Sequence, residues 1–173
     1  FFLGAGFMLI EIKGITELSL FYGSTWLVNS IVIFCVLTMA YFANYVVIKI
    51  NQISSLMIYS ILVLSIVFGI IITYFNLSEY PNWLGMIIMP VFLTFPLFFS
   101  GLAFSNEVKK SKSISVVLFS NLIGAMLGGF LEYNAMYFGF RSLYILSIFM
   151  YIMAFITSGK LIKSQLTPKF KST

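Results

Sequence analysis

The sequence predicts an all-α protein: a polytopic helical membrane domain of about six transmembrane helices with both termini on the cytoplasmic side. Three observations predict it. The 173 residues are 61% hydrophobic and only 9% charged, far from the balance of a water-soluble domain. No Asp, Glu, Lys or Arg occurs from Leu18 to Ile48, from Ile50 to Ser78 or from Tyr80 to Asn106. Each run exceeds the roughly 20 apolar residues that cross a bilayer core of about 30 Å. The third observation is the segregation of lysines to one side of the membrane, which follows from the placement of the helices.

Period-2 alternation is absent, and the runs are too long for the roughly ten-residue strands of a membrane barrel. Helices are the remaining way to satisfy a backbone in lipid. Breaks at charges, Gly/Pro/Asn clusters and aromatic belts place six of them, at residues 1–22, 25–48, 53–76, 83–105, 113–138 and 141–159. Ser24 is the expected N-cap of the second, with Trp26 at the level of an interfacial indole. Tyr80, Pro81 and Trp83 mark the interface before the fourth, within which Pro90 and Pro96 are expected to bend the helix and free carbonyls. Residues 160–173 form a basic cytoplasmic tail, expected to lie near anionic headgroups rather than on nucleic acid.

With six spans, Lys49, Lys109, Lys110, Lys112, Lys160, Lys163, Lys169 and Lys171 share one side, and Arg141 alone falls on the other. That asymmetry marks the lysine side, which holds the loop around 106–113, as cytoplasmic. The predicted setting is a membrane crossed several times, with the lipid bilayer as the main partner.

The first helix carries Glu11, Lys13 and Glu17. An unpaired charge near mid-membrane costs about 2.5–3.5 kcal/mol or more, so these residues need partners. At 100° per residue Lys13 and Glu17 share a face and pair at i, i+4, whereas Glu11 points the other way. Polar groups on two faces imply a helix interior to a bundle. Glu132 is the only other acid placed within a span, at about the depth of Lys13 and Glu17, where it can reach across to them. Three acids against one base leave two negative charges poorly compensated, so at least one is expected to be protonated, hydrated through a cavity or neutralised by a cation. The four residues Glu11, Lys13, Glu17 and Glu132 are thus the candidate ion, proton or substrate site, with structural pairing inside the bundle as the competing reading.

The fifth helix presents Ser120, Gly124, Gly128 and Glu132 at four-residue spacing, with Asn121, Ala125 and Gly129 beside them. Small residues in this pattern let another backbone approach closely, which would carry Glu132 into a helix interface. Asn29, Asn44 and Asn121 are polar intramembrane residues expected to bond to neighbouring helices. Cys35 is alone in an apolar run and reads as a small buried hydrophobe. Histidine is absent, and no metal site, catalytic constellation or cofactor is predicted. The chain starts at Phe1, directly inside a hydrophobic run, and is expected to be a fragment of a longer protein.

Two blocks carry a resemblance. The first runs through Gly4-Ala5-Gly6-Phe7-Met8-Leu9-Ile10-Glu11 and Thr16-Glu17-Leu18-Ser19-Leu20 to Tyr22-Gly23-Ser24-Thr25-Trp26-Leu27-Val28-Asn29-Ser30. The second is Asn121-Leu122-Ile123-Gly124-Ala125-Met126-Leu127-Gly128-Gly129 with Leu131-Glu132-Tyr133. Together they resemble the transmembrane region of bacterial membrane-bound spermidine-synthase-like (polyamine aminopropyltransferase-like) proteins. The resemblance implies a multi-pass region of the bacterial cytoplasmic (inner) membrane, somewhat like major-facilitator transporters, joined to a soluble nucleotide-binding domain and linked to polyamine or S-adenosylmethionine chemistry. Glu11, Glu17, Trp26, Asn29 and Glu132 match positions of that pattern. The soluble domain is missing from this chain, so no catalytic residue carries over, and any transferase activity would reside in that missing domain.

Three functions follow as expectations. One is a membrane domain that anchors or cooperates with a soluble catalytic domain. The second is half of a secondary transporter for a cation, proton-coupled or polyamine substrate, with the charged residues near the midplane. The third is a structural membrane subunit. Further helices or a soluble domain of the same longer protein are the expected partners, and nucleic acid is not.

Overall fold

A computed structural model describes residues 1–23, 25–50, 54–74, 82–111 and 113–166, and all of its regular structure is helical. The elements are α1 (Phe2–Tyr22), α2 (Trp26–Lys49), α3 (Ser55–Tyr74), α4 (Asn82–Lys110), α5 (Ile114–Leu131), a 3₁₀ turn at Glu132–Asn134, α6 (Ala135–Phe138) and α7 (Ser142–Leu166). Three stretches are long and apolar enough to cross a membrane: Trp26–Lys49, Met89–Lys110 and Ile114–Phe138. Their outward faces carry large apolar side chains, among them Phe34 and Tyr41 on α2 and Phe119 and Leu122 on α5, which suits lipid rather than water.

Local chemistry sets several of the ends. Gly23 stops α1 at φ 85°, a left-handed conformation open to glycine. Thr25 caps α2, its hydroxyl accepting from the Val28 N–H at 3.4 Å, whereas Ser24, the cap expected from the sequence, lies outside the described residues. So do Tyr80, Pro81, Lys112, Lys169 and Lys171. Trp26, just inside α2, is largely exposed.

Three boundaries differ from those expected. α4 continues to Lys110 rather than stopping at 105, because Lys109 and Lys110 in its last turn suit the carbonyl end of a helix dipole. The expected single helix over 113–138 is interrupted at Glu132–Asn134, where the chain tightens and Asn134 Nδ2 donates to the Leu131 carbonyl at 2.9 Å. α7 runs to Leu166, so the first residues of the expected tail are helical. Pro90 and Pro96 leave α4 continuous, and Thr94 Oγ1 donates to the Pro90 carbonyl at 2.7 Å.

α1 is the central helix and touches α5, α7, α4 and α2. Its residues Ala5, Leu9, Ile10 and Leu18 are at most 1% exposed. α2 lies along α4 through Val28, Val32, Val36, Ala43 and Val47, one residue per turn or two, and a Cβ on Gly101 would stand 3.0 Å from that of Ala43. α3 fits against α4 and α7. Tyr151 of α7 is fully buried against Gly6 of α1 and donates to Ser100 Oγ of α4 at 2.9 Å, tying three helices together. α5 is the outlier, resting mainly on α1.

That α1–α5 contact is a backbone contact. A Cβ on Gly4 would run into the Asn121 carbonyl, one on Gly124 into the Phe1 carbonyl, and one on Gly128 would stand 2.6 Å from the Ala5 carbonyl. Each glycine therefore aims a Cα–H at a carbonyl oxygen across the interface, the weak hydrogen bond recurrent where helices touch through small residues. The steps from Phe1 to Ala5 and from Gly124 to Gly128 rise together, so the two helices run parallel.

Candidate functional site

Lys13 and Glu17, four residues apart on α1, form a closed ion pair, with Lys13 Nζ donating to Glu17 Oε2 at 2.8 Å. Both residues are buried, and the ammonium also lies 5.1 Å from the centroid of the Tyr144 ring on α7. The pair borders a pocket of about 380 Å³ shared with Leu20 and the turn Phe138–Arg141. Gly139 makes that turn possible at φ 80°, Ser142 Oγ donates to its carbonyl at 2.7 Å, and Arg141 is thereby set at the same pocket. This end of α1 thus presents two cations and one carboxylate.

Glu11 does not join them. It stands 200° around α1 from Lys13, is half-buried, and its carboxylate has no hydrogen bond or ion pair among the described residues. Glu132 does not reach them either, although its counted depth left a cross-helix contact open. The parallel register that pairs Ala5 with Gly128 brings Glu132 level with Leu9, one turn short of Lys13. It is half-buried in the 3₁₀ turn, and its carboxylate has no hydrogen bond or ion pair among the described residues. The four charged residues picked out by the sequence are therefore one closed pair and two separate acids.

Of the expected packing residues, Gly124 and Gly128 meet α1, whereas Gly129 has nothing within 4 Å and faces away. Ser120 lines a cavity instead. Among the described residues, the three asparagines expected to bridge helices show no side-chain bond between helices: the Asn29 Oδ1 is buried without a partner, Asn44 is exposed, and Asn121 contributes its backbone carbonyl to the Gly4 contact. Cys35 is half-buried and free.

A second pocket, of about 570 Å³, lies at the opposite end of α1, beside Phe1, Phe2 and Leu3. α5 forms one wall, with Val116, Val117, Ser120 and Asn121; α4, α7 and α3 form the other, with Phe104, Glu107, Ser158 and Tyr59. Polar links between helices collect here. Ser158 Oγ donates to Glu107 Oε1 at 2.8 Å, Asn106 Nδ2 to Ser55 Oγ at 3.4 Å, and Lys110 Nζ to the same Ser55 oxygen at 2.7 Å. Sequence reasoning missed this site because it ended the fourth helix at residue 105. The signal was the Asn-Glu-Val-Lys-Lys run at 106–110, which continues the helix and sets Glu107 one turn beyond Phe104.

Comparison with protein-family models, with curated proteins and with solved structures finds no match to this chain. Among the described residues no group of three His, Cys, Asp or Glu side chains is placed to hold a metal ion.

Proposed function

We propose that the chain is a six-span domain of a bacterial cytoplasmic membrane with both ends on the cytoplasmic side. In this reading it is the membrane region of a longer, membrane-bound spermidine-synthase-like protein, where it anchors or works with a soluble catalytic domain. The observation that carries the reading is the α1–α5 interface. Part of each block on which the resemblance rests, Gly4, Ala5 and Met8 of the first and Asn121, Gly124 and Gly128 of the second, lies in the close contact between α1 and α5. A shared pattern at positions where only small residues fit is what a common scaffold would require. The parallel run of α1 and α5 also supports alternating spans, and Arg141 sits in a turn at the end remote from Lys109 and Lys110.

The test has two parts. Reporter fusions after Ser111 and Gly139 should report opposite faces of the membrane, cytoplasmic for the first; the same face for both would refute the topology. Deleting residues 1–173 from the full-length protein should release aminopropyl-transfer activity from the membrane fraction into the soluble one. A full-length protein with no soluble nucleotide-binding domain would refute the anchoring role.

A second reading, half of a secondary transporter for a cation, is favoured by the two pockets at opposite ends of the central helix, separated by the tightly packed Ala5, Leu9 and Ile10. Proteoliposome uptake of labelled spermidine by the full-length protein, compared with Glu11→Gln and Glu132→Gln, tests it. No uptake by the parent under any gradient refutes it.

A further inference from the structure

The cavity between α5 and the α3–α4–α7 wall is shallow, amphipathic and open to the side. It follows the start of α5 from Ser113 to Asn121 and the end of α4 from Phe104 to Lys110, about 12 Å and about 9 Å at 1.5 Å per residue. The next turn of α5 closes it, where Gly124 is pressed against the Phe1 carbonyl. A helix that crosses a bilayer core is about 30 Å long, so the cavity is no slot for another span. Its groups are sorted by depth. Lys110, Ser111 and Ser113 stand at the mouth, and Phe2, Phe104 and Val117 line the interior. α5 rests mainly on α1, which leaves a seam between α5 and the opposite wall, and Val116 at that seam is 65% exposed.

The mouth favours a negative charge. Ser113 makes no side-chain cap bond, so the N–H groups in the first turn of α5 have no acceptor among the described residues, and they stand at the positive end of the helix dipole. Lys110 is exposed and uses one of its three ammonium hydrogens on Ser55 Oγ, at 2.7 Å. Glu107 lies one turn deeper, where Ser158 of α7 donates to it at 2.8 Å. Lys109 and Lys110 against Glu107 leave this end of α4 with one positive charge in excess.

We infer that this cavity is the docking site of an anionic phospholipid, its phosphate at the mouth against Lys110 and the first turn of α5, and one acyl chain in the seam over Phe104 and Val117. Charge selects the headgroup. A phosphatidylglycerol carries one net negative charge, equal and opposite to the excess on α4, whereas phosphatidylcholine carries none; basic pockets between membrane helices are where acidic headgroups collect. The apolar interior selects a lipid over a soluble phosphate, which would use the mouth alone and leave Phe2, Phe104 and Val117 without a partner. The cavity volume of about 570 Å³ is in the range of small-molecule sites. The seam admits a chain from the surrounding bilayer without passage through water.

This assignment rests on the membrane setting and on neither the anchoring nor the transport reading, so its failure would leave both standing. The full-length protein in detergent micelles is titrated with phosphatidylglycerol or with phosphatidylcholine of identical chains, and bound lipid is counted by native mass spectrometry. One phosphatidylglycerol should stay bound per protein, in preference to phosphatidylcholine. Lys110→Gln should weaken phosphatidylglycerol binding about fivefold, the effect of one lysine beside an acidic headgroup. Lys49→Gln removes the same charge outside the cavity and should leave binding unchanged, as should Gly129→Ala. Val117→Phe fills the interior and should weaken binding severalfold. A photoreactive group on the acyl chain should label Phe104 or the stretch from Val116 to Asn121. Equal binding of the two lipids, equal losses in Lys110→Gln and Lys49→Gln, displacement of the lipid by glycerol 3-phosphate at comparable concentration, or a protein dimer that binds no lipid overturns the proposal. If Val117→Phe does not fold, the photolabel decides, and labelling confined to other residues overturns it.

Discussion

Removing Lys13 while keeping Glu17 is the sharpest probe of the central helix. The two residues are 4% and 5% exposed and their charged atoms are 2.8 Å apart. At an effective dielectric constant of about 20 that separation corresponds to about 6 kcal/mol of attraction, most of it offset by the desolvation of both groups. The pair is therefore worth little against an apolar replacement, but breaking it leaves a buried charge. Lys13→Met is expected to destabilise the bundle by about 3–5 kcal/mol, part of which is the lost contact with the Tyr144 ring. Glu17→Leu should cost at least as much, because it leaves Lys13 beside the pocket that also holds Arg141. The double variant should recover most of the loss. The assay is a double-mutant cycle on reversible unfolding in mixed micelles, where a coupling of about 4 kcal/mol or more is expected from two single losses most of which the double variant recovers. Single variants within about 0.5 kcal/mol of the parent, or a double variant as unstable as the sum of the singles, would refute the buried-pair argument.

The glycines of α5 make a matched comparison: Gly124→Ala drives a methyl group into the Phe1 carbonyl and should part α5 from α1, whereas Gly129→Ala meets nothing and should be neutral or stabilising by up to about 1 kcal/mol. Cysteine crosslinking between the two helices, with unfolding stability, checks both. Tyr151→Phe removes the hydroxyl that donates to Ser100 and should cost about 1–2 kcal/mol in the same unfolding assay, because the Ser100 oxygen stays buried. Asn29→Leu should be neutral or stabilising, since the Asn29 Oδ1 is buried without a partner; a loss above about 1 kcal/mol would mean that the amide has a role not visible in the packing.

Much of the helix content could be read directly from the chain. Long runs without charge permit only helices in lipid, and the ends of α1 and α2 fall within a residue of where glycine and lysine suggest. The i, i+4 spacing of Lys13 and Glu17 was sufficient for their pairing, because two residues one turn apart on a rigid helix meet whatever surrounds them. Local periodicity also picked out Gly124 and Gly128 as contact residues.

The depth of Glu132 and the placement of Glu107 were decided elsewhere. Residue counting put Glu132 at about the depth of Lys13 and Glu17, but the α1–α5 register, set by which glycine meets which carbonyl, leaves it a turn short of Lys13. Glu107 looked like a loop residue, and became a pocket wall only when α4 was seen to continue and α7 brought Ser158 to it. The sequence by itself determined what depends on near neighbours and on the solvent: helices, their apolar faces and the pair within one turn. The tertiary structure decided which helices touch and at what register, because those depend on close fits between surfaces far apart in the chain, where a shift of one turn changes every partner.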